Sequence, residues 1–247
     1  MGDAHDRIRR WWNEDASVYD DAAGHAMSDP VEAAAWRRVL ERTLPAAPAE
    51  ILDIGTGTGS LAILAAELGH TVSGIDLSEG MLARAKQKAA ALGVSIAFTH
   101  GRAEEPPAGP FDAVIERHVL WTIPDPIMAL EAWRSVTRVG GRLVLLEGSW
   151  GGEGPFVKLL DVLTGAAERA YGIDEHHHAT YPSDLPLPLH GLTSPAPYVA
   201  AVEAAGWTRV RIARLRDVEW AVAQRQPWPL GWLSHRPRYA IIADAAA

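Results

Sequence analysis

Residues 52–59 read LDIGTGTG. The glycines are at positions 55, 57 and 59, and the first of them comes two residues after Asp53. The stretch that leads into the loop, AEILDIG (49–55), is short and apolar, as expected of a strand buried on both faces. A strand that ends in a glycine loop and feeds a helix presents backbone N–H groups at the carboxyl edge of a sheet. The stretch therefore predicts an α/β fold with a binding site for a polar ligand at that edge.

The segment from 49 to 148 alternates between strand-like and helix-like patterns. This alternation is typical of parallel strands joined by crossover helices, and it predicts a doubly wound sheet. Ser78 and Asp125 are predicted helix N-caps, and Gly93 is a predicted helix end. After 49–55, the predicted strands are 70–76, 94–100, 111–116 and 142–148.

The flanking segments complete a single predicted domain. Two N-terminal helices, 4–22 and 30–44, precede the sheet. After Gly148, a glycine-rich break and a proline-rich segment indicate an insertion. A helix from Ser194, a long strand (207–220) and a last strand (236–245) follow. The predicted parts are a helical cap (1–45), a cofactor-binding core (49–148), a lid over the substrate (149–193) and the C-terminal part of the sheet (194–247).

Composition narrows the classes of ligand. The chain of 247 residues has no cysteine, which excludes disulfides, thiolate metal sites and cysteine nucleophiles. Its formal net charge of −8 disfavours binding to nucleic acid backbones. The apolar runs fall short of the roughly 20 residues of a membrane helix, and the N-terminus lacks the apolar core of a signal peptide. We therefore expect a soluble, cytoplasmic protein with a small-molecule substrate, no nucleic acid partner and no membrane partner.

The glycine spacing leaves two readings of the loop. The strict dinucleotide pattern G-x-G-x-x-G fails, because its third glycine falls on Ser60 or on Ala62. The looser pattern that ends in alanine is met from Gly57, but it gives Asp53 and Gly55 no role. An NAD(P)-dependent oxidoreductase therefore stays open as an alternative.

The stretch from Asp53 to Gly59 resembles the D-x-G-x-G-x-G loop of class I S-adenosylmethionine-dependent methyltransferases of the small-molecule type. The resemblance extends to Asp76, which matches the acidic residue that hydrogen-bonds the ribose hydroxyls, and to Leu77 and Met81, which match the positions packed on the adenine. VTRVGGRLVLLEG (136–148) resembles the turn into the fifth strand of that family. The resemblance implies a Rossmann-like doubly wound seven-stranded sheet with the last strand antiparallel, and S-adenosyl-L-methionine as cofactor.

One position departs from the family. Many members carry an aspartate after the third strand that accepts a hydrogen bond from the adenine amino group, whereas this chain has Arg102, which cannot accept one. Only the backbone of Ala103, with Glu104, remains as an expected adenine contact. The resemblance then implies a cofactor site made of Asp53, Gly55, Thr56, Gly57, Gly59, Asp76, Leu77, Met81, Ala103, Glu104 and Glu116.

The resemblance places the acceptor beyond the fourth and fifth strands, where the chain reads IERHVLWTIPDP (115–126). His118 has the right unperturbed pKa for a general base, and Arg117 can clamp a carbonyl or carboxylate. Tyr19 and Asp20 match a Tyr-Asp pair of the family's helical cap, so Tyr19 is a third catalytic candidate. Each could instead be an ordinary solvated or packed side chain. A non-catalytic S-adenosylmethionine-binding protein on the same fold is therefore a second alternative.

The predicted lid supplies most of the substrate candidates. Three consecutive histidines cannot all point the same way and no thiolate is available, so no metal site is expected. One histidine reaching into the pocket and several apolar side chains suggest a flat or hydrophobic substrate. We expect methyl transfer to nitrogen, oxygen or carbon of a small aromatic or heterocyclic metabolite, in secondary metabolism. The substrate candidates are Trp121, Phe156, Leu160, His176, His177, His178 and Tyr181.

Overall fold

A seven-stranded sheet forms the centre of the computed structural model, which describes residues 2–22, 24–149, 155–172, 185, 187–233 and 236–246. The strand order is β3-β2-β1-β4-β5-β7-β6. Strands β1 to β5 are parallel, and β7 runs antiparallel to both of its neighbours. The predicted doubly wound sheet with an antiparallel last strand is confirmed. The strands are β1 (Glu50–Ile54), β2 (Thr71–Asp76), β3 (Ala97–His100), β4 (Phe111–Arg117), β5 (Thr137–Gly148), β6 (Trp207–Arg214) and β7 (Arg238–Ala245).

Helices cover both faces of the sheet, and the predicted caps are in place. The side chain of Ser78 accepts a hydrogen bond from Met81 N (3.1 Å), that of Asp125 accepts from Met128 N (3.0 Å), and Gly93 ends its helix with a positive φ. The helices are α1 (Gly2–Asp15), α2 (Pro30–Thr43), α3 (Ser60–Glu67), α4 (Glu79–Leu92), α5 (Pro126–Ser135), α6 (Pro155–Tyr171), α7 (Ala196–Ala204), α8 (Arg216–Gln224) and α9 (Leu230–Leu233).

The core consists of two apolar clusters, one on each face of the sheet. Ile51 and Leu52 are neighbours on β1 but belong to different clusters, because successive side chains of a strand point to opposite faces. Trp36 of α2 fills one cluster and Trp133 of α5 fills the other, both fully buried. Burial on both faces explains the apolar runs at residues 113–115 of β4 and 143–146 of β5.

Two predicted elements near the ends of the chain were wrong in extent. The first helix ends at Asp15, and a short 3₁₀ turn at Tyr19–Asp21 follows instead of a helix to residue 22. The strand predicted over 207–220 ends at Arg214, and the chain enters α8 at Arg216. The buried residues Val218, Ala221 and Val222 recur at helical spacing.

Strand β6 lies at one edge of the sheet and is irregular. Its pairing with β7 shifts register between Thr208 and Arg211, and Arg209 inside the shift has a φ of 53°. The other edge strand, β3, has four residues.

The N-terminal cap packs across the carboxyl edge of the sheet. Asn13 Oδ1 on α1 accepts hydrogen bonds from Ser78 Oγ (2.7 Å) and Gly80 N (3.0 Å), at the start of α4. His5 Nε2 lies 2.8 Å from Glu104 Oε1. These contacts join α1 to the segments that follow β2 and β3.

The predicted lid (149–193) falls only partly within the described residues. Helix α6 lies in it and packs beside α9, whereas residues 150–154, 173–184 and 186 lie outside the description. The lid therefore stays a prediction. Within the described part of the chain, no helix combines the length and the apolar character needed to cross a bilayer.

Candidate active site

The glycine loop between β1 and α3 adopts the backbone that its sequence suggests. Gly55, Gly57 and Gly59 have φ values of 58°, 55° and 79°, a region that L side chains rarely adopt. A Cβ on Gly55 would overlap the side chain of Val119, whereas the atom nearest to a Cβ on Gly57 is Gly55 O at 3.9 Å. Gly55 thus permits close packing against the segment after β4, and Gly57 borders open space.

Two buried carboxylates hold this loop in place. Asp76 Oδ2 accepts from Gly57 N (2.8 Å) and its Oδ1 accepts from Ser78 N (2.7 Å), so the acid at the end of β2 fixes both turns. Burial raises the pKa of Asp76 to about 6. Asp53 Oδ2 accepts from Thr56 Oγ1 (2.7 Å), and burial raises the pKa of Asp53 to about 7. Above pH 6, Asp76 is therefore an anionic acceptor at the mouth of the loop.

A cavity of about 90 Å³ opens at the carboxyl ends of the strands. A second cavity of about 20 Å³ shares Tyr19, Gly55, Gly57 and Arg117 with it and adds Asp53 and Thr56. The larger cavity brings together ten of the residues predicted from the sequence: Tyr19, Gly55, Gly57, Asp76, Leu77, Met81, Ala103, Glu104, Arg117 and His118.

Two predicted cofactor residues have other surroundings. A Cβ on Gly59 would meet Ala85 Cβ at 3.0 Å, so Gly59 allows α4 to approach the loop. Glu116 is fully buried, and its Oε2 accepts from Val119 N (2.8 Å) and Leu120 N (3.4 Å). Glu116 therefore shapes the turn after β4 from beneath rather than facing the cavity.

The atoms predicted to contact adenine already have partners in the core and the cap. Ala103 O accepts from Trp133 Nε1 (2.7 Å), and the carboxylate of Glu104 pairs with His5. Arg102, which replaces the family's aspartate, lines the cavity and lies 3.8 Å from Glu105.

Arg117 joins the end of β4 to the N-terminal cap. Its Nη1 donates to Gly24 O (2.7 Å) and its Nη2 to His25 O (3.2 Å), while its guanidinium lies 5.7 Å from the ring centre of Trp36. The terminal nitrogens expected to clamp a substrate therefore contact the backbone of the cap.

Tyr19 and Asp20 tie the cap to the glycine loop. The Tyr19 ring stacks on His25 with 4.2 Å between ring centres. Asp20 accepts from Thr58 Oγ1 (2.7 Å) and from Lys88 Nζ (3.0 Å), and Lys88 also donates to Ser60 Oγ (2.9 Å). Tyr19 thus faces the cavity while its neighbour Asp20 fixes the position of the cap.

His118 begins the turn after β4 with a φ of 59°. Its Nε2 lies 3.2 Å from Arg238 Nη1, and its Nδ1 lies 3.3 Å from Glu147 Oε2. Burial, together with the charges of Arg238 and Arg117, lowers the pKa of His118 well below its usual value. Because a guanidinium only donates, a neutral His118 accepts at Nε2 and donates from Nδ1 to Glu147. This arrangement holds the ring firmly and leaves it a weak base.

Burial raises the pKa of Glu116 to about 8, which predicts an unusual pH dependence of stability. The folded state keeps the proton between pH 4.5 and 8 while the unfolded state loses it, so the free energy of unfolding falls as pH rises through this window. Glu116→Gln removes the ionisable carboxyl group and therefore this fall in the free energy of unfolding. Thermal unfolding should show the variant gaining roughly 10 °C relative to wild type between pH 5 and pH 8. Glu131→Gln, on the exposed side of α5, is the matched control. A difference in unfolding temperature between Glu116→Gln and wild type that does not change with pH would contradict the prediction.

The structure describes the side chains of only some of the predicted substrate residues. Trp121 lies 5.3 Å from His190 between ring centres, and Leu160 is half-buried on α6. Phe156 also lies on α6, but its side chain is outside the description, as are His176, His177, His178 and Tyr181. The structure therefore leaves their role in substrate binding a prediction.

Several residues around the cavity escaped the sequence reasoning. His5, Ile8 and Trp12 of α1 line it, and Arg238 of β7 reaches His118 from 120 positions along the chain. The helical spacing of Ile8 and Trp12 could have indicated an inward face of α1.

Comparison with known families identifies the central part of the chain. The methyltransferase domain family matches residues 52–145, which include the glycine loop, Asp76 and strands β4 and β5. The matched residues are less than half of the chain, and they fit the class I S-adenosylmethionine-dependent methyltransferases that the sequence resembles.

Part of the chain is similar to curated methyltransferases. Demethylmenaquinone methyltransferase of Thermus thermophilus is 40% identical over 117 residues, which are 45% of this chain and 53% of that protein. The chain thus spans about half the length of this curated relative.

Two solved structures share the methyltransferase fold over nearly the whole chain. One is geranyl diphosphate C-methyltransferase from Streptomyces coelicolor, with a TM-score of 0.65, 16% identity and 98% of both chains covered. The other is the [4+2]-cyclase SpnF, with a TM-score of 0.67, 17% identity and coverage of 97% of this chain and 96% of that one. At these identities the likeness establishes the fold alone, and the two names differ in reaction.

Proposed function

We propose that the whole chain is an S-adenosylmethionine-dependent methyltransferase whose acceptor is a small, aromatic or heterocyclic metabolite, methylated at nitrogen, oxygen or carbon in secondary metabolism. One observation carries the proposal: a single cavity runs from Asp76, past Gly57, to Arg117 and His118, beneath helix α1. We infer that donor and acceptor bind side by side in this cavity.

The residues on one side of this cavity fit the donor. Asp76 presents an anionic oxygen pair suited to two ribose hydroxyls, and Leu77 and Met81 offer apolar surface for the adenine. The space beside Gly57, which a Cβ would fill, continues into the smaller cavity, where Arg117 can face the donor's carboxylate. S-adenosylmethionine would supply a methyl group already activated on a sulfonium.

The other side of the cavity favours a small acceptor with an apolar body. Its wall includes Ile8 and Trp12 from the cap and Ile123 and Pro124 from the turn after β4. Helix α1, which covers the cavity, is joined to the core through the His5–Glu104 pair and through Asn13. A flat ring fits between these apolar walls better than a folded RNA does.

Orientation would provide most of the rate acceleration. Holding an acceptor in line with an activated methyl group can supply about 7–11 kcal/mol. His118 would contact the acceptor through its ring surface instead of removing its proton, because both ring nitrogens have partners and its pKa is lowered.

His118→Gln should therefore lower kcat by less than about tenfold, compared with the ~10²–10⁴-fold expected for loss of a general base. The pH profile of kcat should keep its shape between pH 6 and pH 9. Both are measured with the identified acceptor, and Glu131→Gln serves as the control variant. A loss of 10³-fold with a changed pH profile would restore the general-base role.

The donor is tested by thermal unfolding of the full chain with S-adenosylmethionine, S-adenosylhomocysteine or NADH. Stabilisation by the first two supports the proposal, whereas stabilisation by NADH alone supports an oxidoreductase.

Mass spectrometry then follows the gain of a methyl group in a panel of phenols, anilines and heterocycles. Donor binding without methylation of any acceptor, including total RNA, would favour a non-catalytic binding protein.

A further inference from the structure

Three tryptophans near the C-terminal end are strongly exposed. Trp220 on α8, Trp228, and Trp232 on α9 are 58%, 84% and 73% exposed, whereas Trp36 and Trp133 are fully buried. The three exposed rings line one groove on the surface, far from the glycine loop in sequence. We refer to Trp220, Trp228 and Trp232 as the tryptophan face. Contiguous exposed apolar surface of this kind marks an interaction site more often than isolated exposed side chains do.

Helix α6 extends the apolar character of this region. Tyr171 Oη at its end donates to Trp228 O (2.7 Å), and the helix packs beside α9. Leu159, Val162 and Leu163 are exposed at spacings of three and four residues, which places them on one side of α6. The tryptophan face thus has a neighbouring helix with exposed aliphatic side chains.

The charge next to the tryptophan face is opposite to that of the chain as a whole. Residues 207–226 contain five arginines and two acidic residues, while the chain carries a formal net charge of −8. Arg214 pairs with Glu219, and Arg209 pairs with Asp244. Arg211 on β6 and Arg216 on α8 are exposed, and Arg216 lines the same groove as the three tryptophans.

We propose that the tryptophan face docks on the surface of an anionic lipid bilayer. Indole rings favour the boundary between lipid headgroups and acyl chains, where their apolar body is buried and their N–H stays hydrated. Arginines beside them attract anionic headgroups. Nucleic acid would use the indoles and arginines but would gain nothing from Leu159 and Val162 on α6.

The docking is peripheral. It departs from the expectation that the protein has no membrane partner, which rested on the lack of a spanning segment in the sequence. It does not depend on methyl transfer, because the tryptophan face and the residues around Asp76 line different cavities. Failure of one proposal therefore leaves the other untouched.

Flotation of the full chain with vesicles tests the docking directly. Wild type should float with vesicles of phosphatidylcholine and phosphatidylglycerol, and much less with phosphatidylcholine alone. The double variant Trp228→Ser/Trp232→Ser should bind roughly tenfold more weakly, and Arg211→Gln and Arg216→Gln about fivefold more weakly each at low salt. Leu92→Ser, which changes an exposed apolar residue on α4, is the control.

Circular dichroism and urea unfolding verify that the variants fold, as expected for side chains that lie mostly in solvent. Absence of wild-type flotation with anionic vesicles overturns the proposal, as does equal flotation of the double tryptophan variant. Light scattering adds a further outcome: a wild-type dimer that the tryptophan variant dissociates would assign this surface to self-association and also overturn the proposal.

Discussion

Asp76→Asn is expected to weaken binding of S-adenosylhomocysteine by roughly 100-fold. Both carboxylate oxygens accept backbone hydrogen bonds, from Gly57 N and Ser78 N. An asparagine offers one acceptor and one donor, so one of these N–H groups faces an NH₂ group in either orientation of the side chain. The variant also removes the negative charge that would accept from the ribose hydroxyls. The measurement is calorimetric titration at pH 7.5, where Asp76 is ionised.

The matched control for Asp76→Asn is Glu79→Gln. Glu79 is the first residue of α4, three positions from Asp76, and its side chain is largely exposed, so the same acid-to-amide change there should leave the affinity within about twofold. A loss below about fivefold for Asp76→Asn would show that the carboxylate does not hold the donor.

Gly55→Ala and Gly57→Ala are expected to fail in different ways. In Gly55→Ala the new Cβ overlaps Val119, and the left-handed backbone adds its own cost, so the free energy of unfolding should fall by roughly 3–5 kcal/mol. In Gly57→Ala only the backbone cost of about 1–2 kcal/mol applies, because the new Cβ meets open space. That Cβ would instead occupy space meant for the donor, which should weaken its binding at least about tenfold.

Urea unfolding and calorimetric titration separate these two effects. Val119→Ala in the Gly55→Ala background relieves the overlap and should restore part of the lost stability. Gly93→Ala is the control for the backbone cost alone. Gly93 also has a positive φ, and a Cβ at Gly93 meets nothing within 4 Å. Equal stability of Gly55→Ala and Gly57→Ala, with unchanged donor binding in both, would contradict the division of roles.

The fold was predictable wherever a local pattern has a local cause. The caps at Ser78 and Asp125 and the apolar strands depend on residues within a few positions of each other. The error at β6 arose because WTRVRIARLRDVEW is rich in residues that suit a strand, while its last part forms a helix that buries Val218 in the core together with Ala221 and Val222.

The candidate site was predictable on the donor side and less so on the acceptor side. Asp53, the glycines and Asp76 form a motif with fixed spacing, and the structure brings all of them except Gly59 to two adjoining cavities. The surroundings of Arg117 and His118 depend on Gly24, His25 and Arg238, whose contacts bridge about 90 to 120 positions. No spacing in the sequence encodes such contacts, because they follow from how the cap and β7 pack against β4.

The irregular edge strand β6 limits the growth of the sheet. An exposed edge presents unpaired backbone groups to which a strand of another molecule can add, the first step in aggregation. The register shift at Thr208–Arg211 and the positive φ of Arg209 distort that edge, and the exposed arginine side chains repel an identical strand. At the opposite edge, the four residues of β3 offer too short a template for stable pairing. The chain thus ends its sheet at seven strands and discourages the addition of an eighth from a neighbouring molecule.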